Sequence, residues 1–79
     1  MTAAERREAI ASDKTGTGFI FNMFYSELCD MCYCITEDLE EIIIACGLSM
    51  EEVNASKALK KGLAKALKEY NADFYTKGD

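Results

Sequence analysis

The sequence contains no proline, no histidine and no tryptophan among its 79 residues. Without proline, no residue removes the backbone donor that a helix interior needs, and the abundant Ala, Leu, Glu and Lys favour helix over strand. Without histidine, the side chain that most often carries protons near neutral pH is missing. No uninterrupted apolar run is longer than the five residues at 42–46, which are too few to span a bilayer. We therefore expect an all-α protein that is not an enzyme, uses no cofactor and does not enter a membrane.

The chain is also short, and its length makes stability a concern. A single domain of this size buries only about 60% of the surface that its unfolded form exposes. Such domains usually gain stability from disulfides, a metal or a partner subunit. The N-terminus carries charges of both signs and lacks the apolar segment of a secretory signal. We expect a cytoplasmic protein with reduced thiols, located in the host cytoplasm if it is phage-encoded.

Basic residues are missing from the middle of the sequence, so the net charge of −5 is unevenly distributed. Between Thr15 and Ser56 there are eight acids and no base. These acids are Glu27, Asp30, Glu37, Asp38, Glu40, Glu41, Glu51 and Glu52. Five lysines then follow within twelve residues, namely Lys57, Lys60, Lys61, Lys65 and Lys68. A segregated charge pattern of this kind points to interaction surfaces.

The N-terminal segment has the signature of a short helix followed by a loop. Thr2 with Glu5 three residues later predicts a capping box for a helix over about 3–11. Two glycines and several small polar residues predict a loop over 13–18, because such residues compete with helical hydrogen bonding.

The apolar residues after this loop recur with the period of a helix. Their spacing alternates between four and three through Phe21, Tyr25, Leu28, Cys32, Ile35, Leu39, Ile42 and Cys46. This seam predicts one long helix over 19–46, because the heptad phase does not slip. The alternative is a separate helix that begins after Thr36 as its N-cap.

The end of the sequence predicts a second long helix. Gly47 is a natural terminator of the preceding helix, since glycine adopts the left-handed conformation without steric cost. Ser49 with Glu52 predicts a capping box that opens a C-terminal helix over 50–75. Gly62 interrupts this helix and suggests a close approach to the long helix.

Two long helices joined by a tight link predict an antiparallel helical hairpin, with the short helix at one end. Several apolar residues lie outside the main seam of the long helix, namely Phe19, Ile20, Met23, Tyr33 and Ile44. One partner helix cannot cover them all, so we expect a homodimer with a four-helix core. The alternative is a monomer in which the N-terminal helix covers the remainder.

The loop contains a short motif, Asp13-Lys14-Thr15-Gly16-Thr17, that resembles the phosphorylation motif of P-type ATPases. This resemblance implies an aspartate that accepts a phosphoryl group. The family also needs a strand behind the aspartate, a Mg²⁺ site and a nucleotide domain, and a chain this short has no room for them. We therefore interpret the motif as a connection before the next helix, with anion binding by its backbone N–H groups as the alternative.

Four cysteines fall in the predicted long helix: Cys29, Cys32, Cys34 and Cys46. In a continuous helix Cys46 lies about 21 to 25 Å along the axis from Cys32 and Cys29, so the four thiols cannot bind one zinc ion. We interpret them as packing residues and expect no metal. The alternative is a metal or redox site formed by Cys29, Cys32 and Cys34.

The acidic face carries the functional hypothesis. Eight acids without a nearby base repel one another, which costs stability and calls for a reason. We expect them to bind a protein partner with a basic surface, such as a nucleic-acid-binding groove. In size, charge and composition the chain resembles small phage-encoded inhibitors such as anti-CRISPR proteins, which implies inhibition of that partner. The negative net charge disfavours direct binding to nucleic acid.

Two further interpretations stay open. A structural or regulatory helical dimer could use its lysine face on nucleic acid or on an acidic partner. The acids could also serve solubility alone, or pair with the lysines within one molecule or across a dimer.

Overall fold

The computed structural model describes residues 2–31 and 39–74. This part of the chain forms five helices and no strand, which confirms the predicted all-α class. In chain order they are α1 (Ala3–Ser12), α2 (Phe19–Asp30), α3 (Leu39–Ala45), α4 (Met50–Ala55) and α5 (Lys57–Phe74). None of the five is long and apolar enough to cross a membrane.

The helix α1 begins with a reciprocal capping box, as the sequence predicts. The Glu5 backbone N–H donates to Thr2 Oγ1 at 3.1 Å, and the Thr2 N–H donates to Glu5 Oε1 at 2.8 Å. These bonds satisfy two backbone donors that the first turn leaves without partners. The bond from the Thr2 backbone N–H also lowers the pKa of the Glu5 carboxyl, because it favours the charged form.

The single helix predicted over 19–46 is not what the structure shows. The helix α2 ends at Asp30, and α3 begins at Leu39 and packs against α2. In one continuous helix these two residues would lie about 13.5 Å apart along the axis, and α3 could not contact α2. The helices α2 and α3 are therefore separate elements, and the alternative N-cap Thr36 falls at 32–38, outside the described residues.

The link after α3 has the predicted geometry. Gly47 adopts a φ of 78°, and the N–H of Leu48 donates to the Ile43 carbonyl at 3.1 Å. The Gly47 N–H donates to the Ile44 carbonyl at 2.8 Å. This pair of bonds is the Schellman arrangement, which satisfies the last carbonyls of a helix and reverses the chain.

The C-terminal helix predicted over 50–75 is divided into α4 and α5. At the junction Ser56 leaves the helical region, with a φ of −117° and a ψ of 120°. Its hydroxyl accepts a hydrogen bond from the Leu59 N–H at 3.2 Å, so Ser56 caps the start of α5. The sequence pattern missed the break because a serine can sit inside a helix as well as before one.

The predicted antiparallel hairpin is also corrected, because α2 and α5 run parallel. Gly62 adjoins Ile20 near the start of both helices. The Lys65 ammonium lies 5.5 Å from the centre of the Phe21 ring. Further along, the Tyr25 hydroxyl donates a hydrogen bond to Asp73. The contacts thus advance in the same direction along both helices.

The buried face of α2 shares Leu28 with the predicted seam but otherwise lies one position earlier. Ile20, Phe24 and Leu28 are completely buried, whereas Phe21 and Tyr25 lie half-buried beside them. Both rows have helical spacing, so spacing alone could not choose between them. The helix α5 covers Ile20, which the sequence placed outside the seam. The remaining core residues are Ile42, Ile43, Cys46, Leu48, Val53, Leu59, Leu63, Ala66 and Tyr70.

Two arginines attach α1 to the rest of the molecule. The Arg6 guanidinium donates to the Cys46 carbonyl at 2.9 Å, where α3 ends. A cation at this position favourably offsets the negative end of the helix dipole. Arg7 forms an ion pair of 3.0 Å with Glu52 of α4. The bond to Arg7 lowers the pKa of the Glu52 carboxyl.

Candidate interaction surfaces

The aspartate of the ATPase-like motif has a structural role. One Asp13 oxygen accepts from the Gly16 N–H at 3.0 Å, and the other accepts from the N–H groups of Gly18 and Ile20 at 3.0 and 2.9 Å. Asp13 therefore caps the start of α2, which has no acidic residue in its own first turn. The bond from Ile20 is the main reason that the pKa of the Asp13 carboxyl is lowered.

Two glycines bring this loop against α5. Gly16 is buried and has a φ of 79°, a conformation that favours glycine. A Cβ on Gly16 would overlap the carbonyl of Ala58, and a Cβ on Gly62 would lie 2.6 Å from the Gly16 oxygen. The close approach that Gly62 suggested from sequence is present, and it places Lys14 beside the start of α5.

Lysines from two segments meet at this contact. They line an open cavity of about 490 Å³ together with Thr15 and Ala58. We call these four residues the basic cluster: Lys14, Lys57, Lys60 and Lys61. The last three belong to the predicted lysine face, whereas Lys14 is distant in sequence and joins them only through the packing of the loop. No spacing rule could have found Lys14.

The basic cluster lies at the end of α5 where positive charge is least favourable. The N-terminus of a helix carries a partial positive charge, which acids stabilise and bases destabilise. The first turn of α5 contains no acid and begins with Lys57. The helix α4 ends at Ala55, and its carbonyls offset part of this charge, but α4 has 6 residues against 18 in α5. Stability of the fold alone therefore does not account for the cluster.

The other two lysines of the predicted face lie further along α5. The Lys65 ammonium stacks over the Phe21 ring, a cation–π contact between α5 and α2. Lys68 is exposed one turn later. The predicted lysine face is thus divided between a cluster at the start of α5, a packing contact at Lys65 and an exposed position at Lys68.

Most of the described acids stand where they stabilise a helix. Glu40 and Glu41 lie in the first turn of α3, and Glu51 and Glu52 lie in the first turn of α4. Carboxylates in a first turn interact favourably with the helix dipole. Glu52 is further neutralised by Arg7.

The remaining acids of the predicted face are spread over two helices or lie outside the described residues. Glu27 is half-buried on α2, and Asp30 is exposed where α2 ends. Glu37 and Asp38 fall in the segment 32–38, outside the described residues. Arg7 and Glu52 form an ion pair, and among the described residues no lysine pairs with Asp30, Glu41 or Glu51.

The two described cysteines have different surroundings. Cys46 is completely buried, as a packing residue should be, and burial raises the pKa of its thiol to about 11. It therefore remains a neutral thiol at physiological pH. Cys29 lies on the surface of α2. Cys32 and Cys34 lie outside the described residues, and within 2–31 and 39–74 no three potential ligands cluster as a metal site requires.

A second surface is apolar. Between α3, α4 and α5 lies an open groove of about 300 Å³, which we call the α3–α5 groove. Its apolar lining comes from Leu39, Ile43, Met50, Val53, Leu63 and Leu67, and Lys60 and Asn54 also border it. Met50 remains 40% exposed, and Ile44, next to the groove on α3, is 62% exposed. Exposed apolar area of this kind marks an interaction site more often than a scattered surface residue does.

These features define a small helical protein with a basic cluster and an apolar groove. Residues 1–69 match a sequence family described as a family of unknown function (DUF7659), and the chain belongs to it. No curated protein and no solved structure gave a match in the same comparisons.

Proposed function

We propose that this protein is a non-enzymatic interaction module whose basic cluster binds an acidic segment of a partner protein. The observation that carries this proposal is the placement of Lys14, Lys57, Lys60 and Lys61 around one concavity at the start of α5. No carboxylate within the described residues pairs with any of them. Their mutual repulsion is relieved when a partner supplies negative charge.

An acidic protein fits this surface better than nucleic acid does. Nucleic-acid-binding domains are generally basic over a whole face, whereas this chain has a net charge of −5. A short acidic segment can contact the four lysines within one cavity, whose lining contains no acid.

Binding of two probes tests the proposal. A fluorescent polyglutamate peptide and a single-stranded DNA oligonucleotide are titrated with the protein, and anisotropy is followed at low and at physiological salt. We expect binding of the peptide that weakens with salt. The double variant Lys57→Glu/Lys61→Glu should bind it about tenfold less tightly, since each reversed surface charge removes up to about 1 kcal/mol.

A matched double variant controls for net charge. Lys65→Glu/Lys68→Glu changes the same residue type on the same helix by the same total charge, but outside the basic cluster. It should retain most of the affinity. An equal loss in both double variants would contradict a localised site, and preferential binding of the DNA probe would favour nucleic acid instead.

A second candidate function is supported by the exposed acids. Asp30, Glu41 and Glu51 lie on the surface, and no base among the described residues forms an ion pair with them. In this second proposal they dock on a basic partner, such as a nucleic-acid-binding surface, and block it as a phage-encoded inhibitor of the anti-CRISPR type would. Glu27, Glu37, Asp38, Glu40 and Glu52 would flank that contact.

Charge reversal separates this candidate from the first. The variant Glu37→Lys/Asp38→Lys/Glu40→Lys/Glu41→Lys is compared with the unmodified chain in a pull-down from host lysate, with Glu8→Lys on α1 as a control. Docking through the acids is supported if the unmodified chain and Glu8→Lys capture a salt-sensitive partner and the fourfold variant does not. Unchanged capture would rule that docking out.

The homodimer also belongs among these proposals. Apolar surface stays exposed at Ile44 and Met50, and a chain of this length gains stability from a partner subunit. A second copy of the chain is always available to cover such a surface.

A further inference from the structure

The α3–α5 groove has walls of opposite charge. On the α3 and α4 side, Glu40 and Glu51 are exposed, each directly adjacent in sequence to an apolar groove residue. On the α5 side, Lys60 borders the groove, and Lys68 is exposed and directly follows the groove residue Leu67 in sequence. The charged residues next to the apolar lining are therefore acids on α3 and α4, which we call the acidic edge, and lysines on α5, which we call the lysine edge.

This arrangement restricts what can occupy the groove. A purely basic segment would be attracted by the acidic edge and repelled by the lysine edge, and a purely acidic segment would meet the reverse. A suitable occupant carries both signs, separated across an apolar strip. The groove itself is such a surface.

We propose that the α3–α5 groove is a two-fold interface with a second copy of this chain. A two-fold axis that runs along the groove places the acidic edge of each protomer against the lysine edge of the other. The apolar floors then cover each other, including the exposed Met50 and the neighbouring Ile44. This inference rests on the homodimer proposed above and specifies its surface and its charge register.

Blocking the groove is the first test. Ala64 lines the groove and is exposed, so Ala64→Arg inserts a long side chain there without disturbing the core. By sedimentation velocity at micromolar concentration, we expect a dimer for the unmodified chain and a monomer for Ala64→Arg. The control Ala4→Arg, on the exposed surface of α1, should stay dimeric.

A mixing experiment tests the charge register. One variant, Glu40→Lys/Glu51→Lys, has two basic edges, and the other, Lys60→Glu/Lys68→Glu, has two acidic edges. Each alone should be monomeric, because a two-fold axis would bring like charges together. An equimolar mixture should form a heterodimer, visible by native mass spectrometry, because both edges then attract. Charge pairing within a single protomer cannot produce this rescue.

Several outcomes would overturn the inference. These are a monomeric unmodified chain, a dimer that survives Ala64→Arg, or variants that fail to combine on mixing. Circular dichroism of each variant shows whether a change in oligomeric state is caused by unfolding. The polyglutamate titration tests the basic-cluster proposal separately from the dimer. The Ala64→Arg variant keeps Lys14, Lys57 and Lys61, so it should still bind the peptide.

Discussion

The starts of the helices differ in one respect that separates α5 from the others. In α1, α3 and α4 the first turn carries acids, and in α2 the carboxylate of Asp13 reaches three backbone donors from outside the helix. The start of α5 has only the Ser56 hydroxyl and is surrounded by lysines. Charge supports the fold at four helix starts and opposes it at the fifth.

This difference shows which charges need a functional explanation. Acids in the first turns of α3 and α4 lower the free energy of the folded chain, so their number alone says little about a partner. The basic cluster raises that free energy. It is therefore the charged feature that points more directly to a binding function.

The largest effect is expected from removing the contact that assembles the basic end. Gly16→Ala forces a side chain into a positive φ and against the Ala58 carbonyl, and should destabilise the fold by about 2–4 kcal/mol. Gly62→Ala places a side chain against the same loop from the α5 side, but it needs no positive φ. It should therefore destabilise the fold less than Gly16→Ala. Urea unfolding measures both. A neutral Gly16→Ala would mean that the loop does not hold Lys14 against α5.

Acid should selectively weaken the start of α2. The pKa of Asp13 is lowered in the folded state, so its contribution to stability is present above its ordinary value of 3.8 and is lost as pH falls through the lowered folded value. We expect the melting temperature to fall between pH 5 and pH 2. Asp13→Asn should be less stable at pH 7 and should show a smaller fall, measured by circular dichroism. The same fall in both would assign the acid sensitivity to other carboxyls, such as Glu5 and Glu52.

Charge reversals at the helix starts should have the smallest effects, with opposite signs. Lys57→Glu should stabilise the fold by about 0.3–1 kcal/mol, because it places an acid in the first turn of α5. Glu41→Lys should destabilise it by a similar amount for the same reason. Both are measured by thermal unfolding at low salt. If Lys57→Glu destabilises the chain, the basic cluster contributes to the fold and its functional interpretation weakens.

Local signals in the sequence were good predictors because their causes are local. The capping box at Thr2, the left-handed Gly47 and the cap at Ser49 depend on atoms within a few residues. The prediction from the heptad seam failed because it assumes one continuous helix over 19–46, whereas α2 and α3 are separate helices. Spacing could not tell the row of Phe21 and Tyr25 from the row of Ile20 and Phe24, since only the position of α5 distinguishes them.

By itself, the sequence determined that the chain is helical, where several helices start and stop, and that its charge is segregated. Those properties follow from backbone preferences, caps and composition. Only the tertiary structure decided that α2 and α5 are parallel and that Lys14 joins Lys57, Lys60 and Lys61. It alone showed that Asp13 caps α2 instead of facing a ligand. The first two facts depend on the packing of α2 against α5 and on two glycines in close contact, which bring together residues far apart in the chain. The Asp13 cap is local, but its three donors are set by the conformation of the loop.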